Sequence, residues 1–288
     1  SLANLGALTT ASTDAITITV NDADAAALTA ANLSTLGGKT AGTVTVTNAV
    51  AITGDHDQLT AALVTAGTKV VVSDATVTVN DVDTTAITAA ELSALGGATT
   101  GQVTVTNAVA ITGNHDELTA ALVTADTKVE VSDATVTVND ADTTAITATE
   151  LSAIGGSTTG QVTVTNAVAI TGTAAELTAA LVTADTLVVL DDAAVTITGN
   201  PTISELNAIA AKTSGVVTAT LAANSLSNLG ALTTAATDAI TITVNDGDTD
   251  AVTASDLSTL GGKTAGTVTV SNAVAITGNH DELTAALV

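Results

Sequence analysis

The chain of 288 residues carries 29 Asp and Glu against five Lys and Arg, a formal charge of −24, and contains no aromatic residue, no Cys and no Met. That balance repels phosphate backbones and anionic bilayer surfaces, which excludes nucleic acid as a partner, and the lack of Cys excludes disulfides and thiolate metal sites. No apolar run approaches the ~20 residues needed to span a bilayer, and a core without aromatics must be thin, made of Val, Ile, Leu and Ala.

The elements repeat. Gly-Gln-Val-Thr-Val-Thr-Asn-Ala-Val-Ala-Ile-Thr starts at Gly101 and at Gly160, close copies start at Gly42 and Gly266, and a degraded copy starts at Gly215. The steps between these glycines are 59, 59, 55 and 51 residues. Residues 1–64 return as 225–288 with 53 of 64 positions identical, a superperiod of 224. Terminal repeats of an array are usually atypical because they cap an exposed core; here they are ordinary. The expectation is a single continuous array over 1–288, cut as a window from a longer chain.

In the module from Gly101 to Thr159, Val103, Val105, Asn107, Val109 and Ile111 alternate with Thr and Ala, which predicts a strand. Asn114/Glu117 then caps a short helix over Leu118–Leu122. A second strand region covers 128–139, where apolar parity slips from Val129 and Val131 to Val136 and Val138, so Asp133 marks a bend or bulge. Thr147/Glu150 opens a second helix, closed by Gly155-Gly156, glycines suited to a left-handed C-terminal cap. The same Thr-x-x-Glu box recurs at Thr88/Glu91, Thr173/Glu176 and Thr202/Glu205.

Anchored on Val103, Val129 and Val162, the two half-modules are unequal, the second being the longer. Each reads as one coil of a parallel β-solenoid carrying a short helix, about ten coils of roughly 26–33 residues in all. Immunoglobulin-like beads would want ~100 residues and a buried aromatic apiece. Stacked strands rise ~4.8 Å per coil while helices pack at ~8–10 Å, so curvature or a stagger of helices has to absorb the difference.

Candidate chemistry is sparse. The turns Asn21-Asp-Ala-Asp24, Asn80-Asp-Val-Asp83, Asn139-Asp-Ala-Asp142 and Asn245-Asp-Gly-Asp248 recur at one phase. Stacked, they would bring Asp22/Asp24, Asp81/Asp83, Asp140/Asp142 and Asp246/Asp248 to one edge. Calcium accepts such oxygens, and weak sites of ~10⁻⁴–10⁻³ M would fill outside cells; a polar turn is the plainer reading. His56, His115 and His280 stand beside Asp57, Asp116 and Asp281 ahead of a helix, as a metal set or as a solvated first turn. Asn48, Asn107, Asn166 and Asn272 fall at inward strand positions, forming an amide ladder or marking kinks. Exposed Thr-x-Thr rows suit ice, or simply an exposed strand; Glu130 is expected to interrupt them. No nucleophile–base pair or phosphate loop is visible, so no enzyme and no small-molecule substrate is expected.

The run Ile203-Ser-Glu-Leu-Asn-Ala-Ile-Ala-Ala-Lys-Thr-Ser-Gly215, followed by Thr-Ala-Thr and Asn-Leu-Gly-Ala-Leu, resembles the repeats of giant cell-surface proteins of cyanobacteria, including the large one associated with swimming motility. The resemblance implies an extracellular place and a role in surface layers, fibres or adhesion. Together these readings point to a structural segment whose partners are copies of itself or further coils of the same chain. A calcium-dependent adhesin stalk is the alternative, and an ice-binding repeat the third reading.

Overall fold

A computed structural model describes residues 1–67, 70–126, 129–184 and 188–288. Lys128, the first residue of the second predicted strand region, lies outside them. The fold is α/β: short parallel strands alternate with short helices and build several open sheets, none closed. The chain divides into two compact units, Ser1–Asn139 with Ala153–Val162, and Asp140–Ser152 with Thr163–Val288.

In the first unit one parallel sheet holds Ile18–Val20, Val44–Val46 and Val70–Val72. A second holds Ala27–Thr29, Ala51–Gly54, Thr76–Val79, Val103–Val105 and Val129–Val131. A third joins Ala86–Thr88, Ala110–Gly113 and Thr135–Val138. Partners stand one coil apart in sequence, as in Ala27↔Ala51, Ala51↔Thr76 and Val77↔Val103. In the second unit Ala145–Thr147, Ala169–Thr173, Ala194–Thr198, Val217–Thr220, Ala239–Val244 and Val268–Val270 pair in that order, and Ala251–Thr253 pairs with Ala275–Thr277. There the step shortens at Val195↔Val217 and Thr218↔Ala239, the region of the degraded repeat.

The unequal half-modules are therefore not coils of unequal length. Val44 and Val70 are stacked partners, but Val103, the next anchor after Val70, pairs with Val77 in the next sheet. The longer half contains the extra strand Ala86–Thr88, which founds a new sheet one module after Ala27–Thr29 founded the previous one.

Inward parity holds: Val103, Val105, Val109 and Ile111 are buried, as are Val129, Val136 and Val138. What reads as one strand is, however, two with a corner between them. One corner falls at Asn107; the other falls at Ser132-Asp133, where the parity slips and Ser132 Oγ donates to Asp133 Oδ1. All five predicted capping boxes form. Glu91, Glu117, Glu150, Glu176 and Glu205 each accept the cap residue's N–H, and the cap side chain accepts theirs. Asn279/Glu282 is a sixth, legible from the same Gly-Asn-His-Asp-Glu-Leu wording. The backbone N–H and the hydroxyl of Thr88, given to Glu91, hold that carboxyl below its usual range against the opposing effect of burial; the charge of His56 adds slightly.

The glycines after the helices do not take the left-handed cap conformation. Gly38 and Gly262 have φ of −68° and −69°, and the chain leaves each helix by a right-handed turn in which Lys39 N–H reaches the Leu36 carbonyl and Lys263 N–H that of Leu260. Positive φ falls instead on Ala25, Thr84, Thr143 and Thr249, directly after the Asn-Asp-x-Asp turns, and on Gly199 after the strand Ala194–Thr198.

Candidate functional site: the turns that join one coil to the next

Each Asn-Asp-x-Asp turn follows a strand, and its carboxylates engage backbone groups far away in sequence, both of them at Asp22/Asp24, Asp81/Asp83 and Asp246/Asp248 and the second at Asp142. The first reaches the helix of the preceding coil. Asp22 Oδ2 accepts the N–H of Leu2, Asp81 Oδ2 that of His56 and Asp246 Oδ2 that of Leu226, at 2.6 to 2.8 Å. These residues open their helices, where N–H groups lack intrahelical acceptors and the dipole favours an anion. A helix such as His56–Leu59 thus receives two caps, Asp55 from its own chain end and Asp81 from the coil that follows.

The second carboxylate points to the coil that follows. Asp24, Asp83, Asp142 and Asp248 each accept, through Oδ1, an N–H 25 residues on, from Ala49, Ala108, Ala167 and Ala273. The same Ala carbonyls accept the N–H of the positive-φ residues Ala25, Thr84, Thr143 and Thr249. Asn48, Asn107, Asn166 and Asn272 complete the joint by donating Nδ2 to the carbonyls of Asp22, Asp81, Asp140 and Asp246. The Asn residues therefore mark corners, as one of the two sequence readings has it, and each binds the turn of the coil before it.

The histidines divide. His56 is largely buried, its Nδ1 lies 2.6 Å from Asp81 Oδ1, and its Nε2 is 3.5 Å from the exposed Asp57. Burial pushes the imidazole pKa down, but the hydrogen bond and charge of Asp81, with Asp57 and Glu91, outweigh it and the net shift is upward. His115 Nε2 is likewise 3.5 Å from Asp116. His280 opens a helix with no buried residue. Asp140 is buried. Among the described residues no group of three or more His, Asp and Glu side chains converges as ligands would.

A second joint escaped sequence reasoning. Thr99, Thr158 and Thr213 stand two residues ahead of Gly101, Gly160 and Gly215. Each accepts the glycine N–H on its hydroxyl and donates that hydroxyl to the carbonyl of Ala75, Ala134 or Ala193 in the coil beneath. Thr40 and Thr264 do the same towards Ile16 and Ile240. The signal was present as Thr-x-Gly at every module start, hidden among many other threonines.

The Thr rows form ladders. Thr29, Thr53, Thr78 and Thr104 are successive partners across four strands, and Glu130 occupies the next place.

Comparison with protein-family models, with curated proteins and with solved structures gives no match.

Proposed function

We propose that the chain is a segment of a parallel β-solenoid with a short helix on each coil, serving as a non-catalytic structural repeat of an extracellular fibre or cell-surface layer. The observation that carries this reading is the use made of the polar groups that recur at one phase: Asp, Asn and Thr side chains at matching positions of successive modules bind backbone groups of neighbouring coils. A catalytic or ligand-binding protein aims such groups into a cavity. Here a cleft of about 610 Å³ in the second unit is lined by Asn200, Asn207, Leu221 and Asn228, and Asn207 already bonds the backbone of Ala231 and Thr233. The acidic surface keeps an apolar-rich polymer soluble. In this reading the partners are coils of the same array.

Antibodies raised against the folded chain test the proposal. They are expected to label intact source cells and to decorate filaments or sheets in electron micrographs of the native particle. Labelling only after permeabilisation would overturn the surface role.

A further inference from the structure

The four Asn-Asp-x-Asp turns differ at x. Ala23, Val82 and Ala141 follow Asp22, Asp81 and Asp140, whereas Gly247 follows Asp246. That is the one Asp-Gly pair in the sequence, which holds no Asn-Gly pair. A second change accompanies it, for Asp250 takes the place of Ala26, Thr85 and Thr144. Gly247 N–H donates to Asp250 Oδ2 at 2.7 Å, and a Cβ on residue 247 would stand 2.9 Å from that same oxygen. Left-handed backbone does not account for the glycine, since among the described glycines Gly199 alone has a positive φ. Gly247 leaves room for a carboxylate over its own amide.

An aspartate followed by glycine is open to attack by the next backbone nitrogen. No side chain crowds that nitrogen, and glycine dihedrals turn with little restraint. Here Gly247 and Asp250 are exposed, and 245–250 lie between the strands Ala239–Val244 and Ala251–Thr253 rather than within them. Water therefore reaches the turn, and Asp250 Oδ2 already accepts the hydrogen that the attacking nitrogen must give up. In the other three turns Ala or Val stands at x and no acid stands at the position of Asp250.

We propose that Asp246-Gly247 is a modification site, where the chain converts its own aspartate to isoaspartate and so opens one joint between coils with age. Gly247 N bonds to Asp246 Cγ while its hydrogen passes to Asp250. One Asp246 carboxyl oxygen leaves as water, made up with that hydrogen and one proton from solvent. The product is a five-membered succinimide, and nothing is oxidised or reduced. Water then opens the ring. Cleavage of the bond from Cγ to nitrogen restores aspartate, and cleavage of the bond from the former backbone carbonyl carbon to nitrogen leaves isoaspartate. The main chain then runs through Cβ and Cγ, one carbon longer, and the free carboxylate sits on Cα. Asp246 Oδ2 no longer holds Leu226 N–H, and the Asp246 carbonyl that accepts Asn272 Nδ2 becomes part of the carboxylate. Both ties of this joint are lost, while Asp81 keeps its hold on His56 N–H.

The test is prolonged incubation of the folded 288-residue chain at neutral pH. Its peptides are then separated by chromatography and fragmented by electron transfer, which tells isoaspartate from aspartate residue by residue. Isoaspartate is expected at Asp246 at a level at least about tenfold above that at Asp22, Asp81 and Asp140. Gly247→Ala should bring Asp246 down to the level of those three. Asp250→Asn, which keeps the shape and loses the proton acceptor, should slow the accumulation. In the isomerised fraction amide exchange at Leu226 should quicken by at least about tenfold while that at His56 stays as it was. Equal isoaspartate at the four turns, or undiminished formation in Gly247→Ala, overturns the site. An undiminished rate in Asp250→Asn overturns the role of Asp250, and unaltered exchange at Leu226 in the isomerised fraction overturns the opening of the joint.

Discussion

Gly101→Ala should damage the fold where Gly97→Ala should improve it, although the two positions lie close together in the chain. Gly101 sits where one coil crosses the corner of the coil beneath. A Cβ there would lie 2.2 Å from the Ala75 carbonyl oxygen, 2.6 Å from its carbon and 2.8 Å from the Asp74 oxygen. All three are backbone atoms, so relief requires the two coils to separate by about 1 Å. That movement pulls on Thr100 N–H to Ser73 at 2.7 Å, Thr99 Oγ1 to Ala75 at 2.6 Å and Val77 N–H to Gln102 at 2.8 Å. Overpacking costs about 1–3 kcal/mol and weakening one or two of these bonds about 1 kcal/mol more, so a loss of roughly 2–4 kcal/mol is expected. At Gly97, an exposed residue in the last turn of Ala89–Gly97, no atom lies within 4 Å of the added Cβ. There the substitution only removes unfolded-state freedom, for a gain of about 0.5–1 kcal/mol. Long arrays can unfold coil by coil, so the measurement is local opening free energy from amide exchange at Val77 and Val103, beside global guanidinium denaturation. A Gly101→Ala chain within about 0.5 kcal/mol of wild type, or equal damage from both substitutions, refutes the argument.

Thr84→Gly should stabilise by about 0.5–1 kcal/mol, because Thr84 is an exposed β-branched residue held at φ of 66°; a lower denaturation midpoint would contradict this. The raised pKa of His56 makes its joint pH-dependent. Its contribution is fully present below the unfolded value of about 6.5 and is lost as pH rises through the higher folded value. The stability gap between wild type and His56→Gln should therefore narrow as pH rises from below about 6.5 through the higher folded value, and a gap that widens would reverse the sign. Asp81→Ala should cost about 2–3 kcal/mol, since it strands the part-buried N–H of His56 and its imidazole together; denaturant titration reads it. Because the turn carboxylates already hold backbone N–H groups, millimolar calcium should move the thermal midpoint by less than about 2 °C. A larger rise, absent in Asp24→Asn and Asp83→Asn, would show that the remaining oxygens gather an ion.

Much was legible in the sequence because it depends on near neighbours. Parity of Val and Ile placed the buried faces, the slip at Asp133 located a corner, and Thr-x-x-Glu located helix starts, each within a few residues of chain. The employment of the Asn-Asp-x-Asp turns was not legible, since the N–H groups they accept come from 20 to 25 residues away. The repeat length itself hid the sideways step, because Val70 to Val103 counts like a coil yet joins two sheets.

Leu-Thr-Ala-Ala-Leu-Val shows the division most sharply, because it occurs four times without a change. As Leu283–Val288 it continues the α-helix His280–Leu287, and Thr284 Oγ1 bonds the His280 carbonyl four residues back. As Leu59–Val64, Leu118–Val123 and Leu177–Val182 it widens from Thr60, Thr119 or Thr178 into a π-turn, in which Thr65, Thr124 and Thr183 N–H reach five residues back. The hydroxyls of Thr60, Thr119 and Thr178 are then buried without a hydrogen bond. In the first unit the turn Thr60–Val64 is packed between the helices Ala30–Gly37 and Ala89–Gly97, burying Leu59 and Ala62 completely. Local sequence fixes that these six residues are helical and which face is apolar. The widening at Thr60, at the expense of a buried hydroxyl, accompanies the packing of that turn between two helices that lie about 30 residues away in the chain, which local sequence does not display.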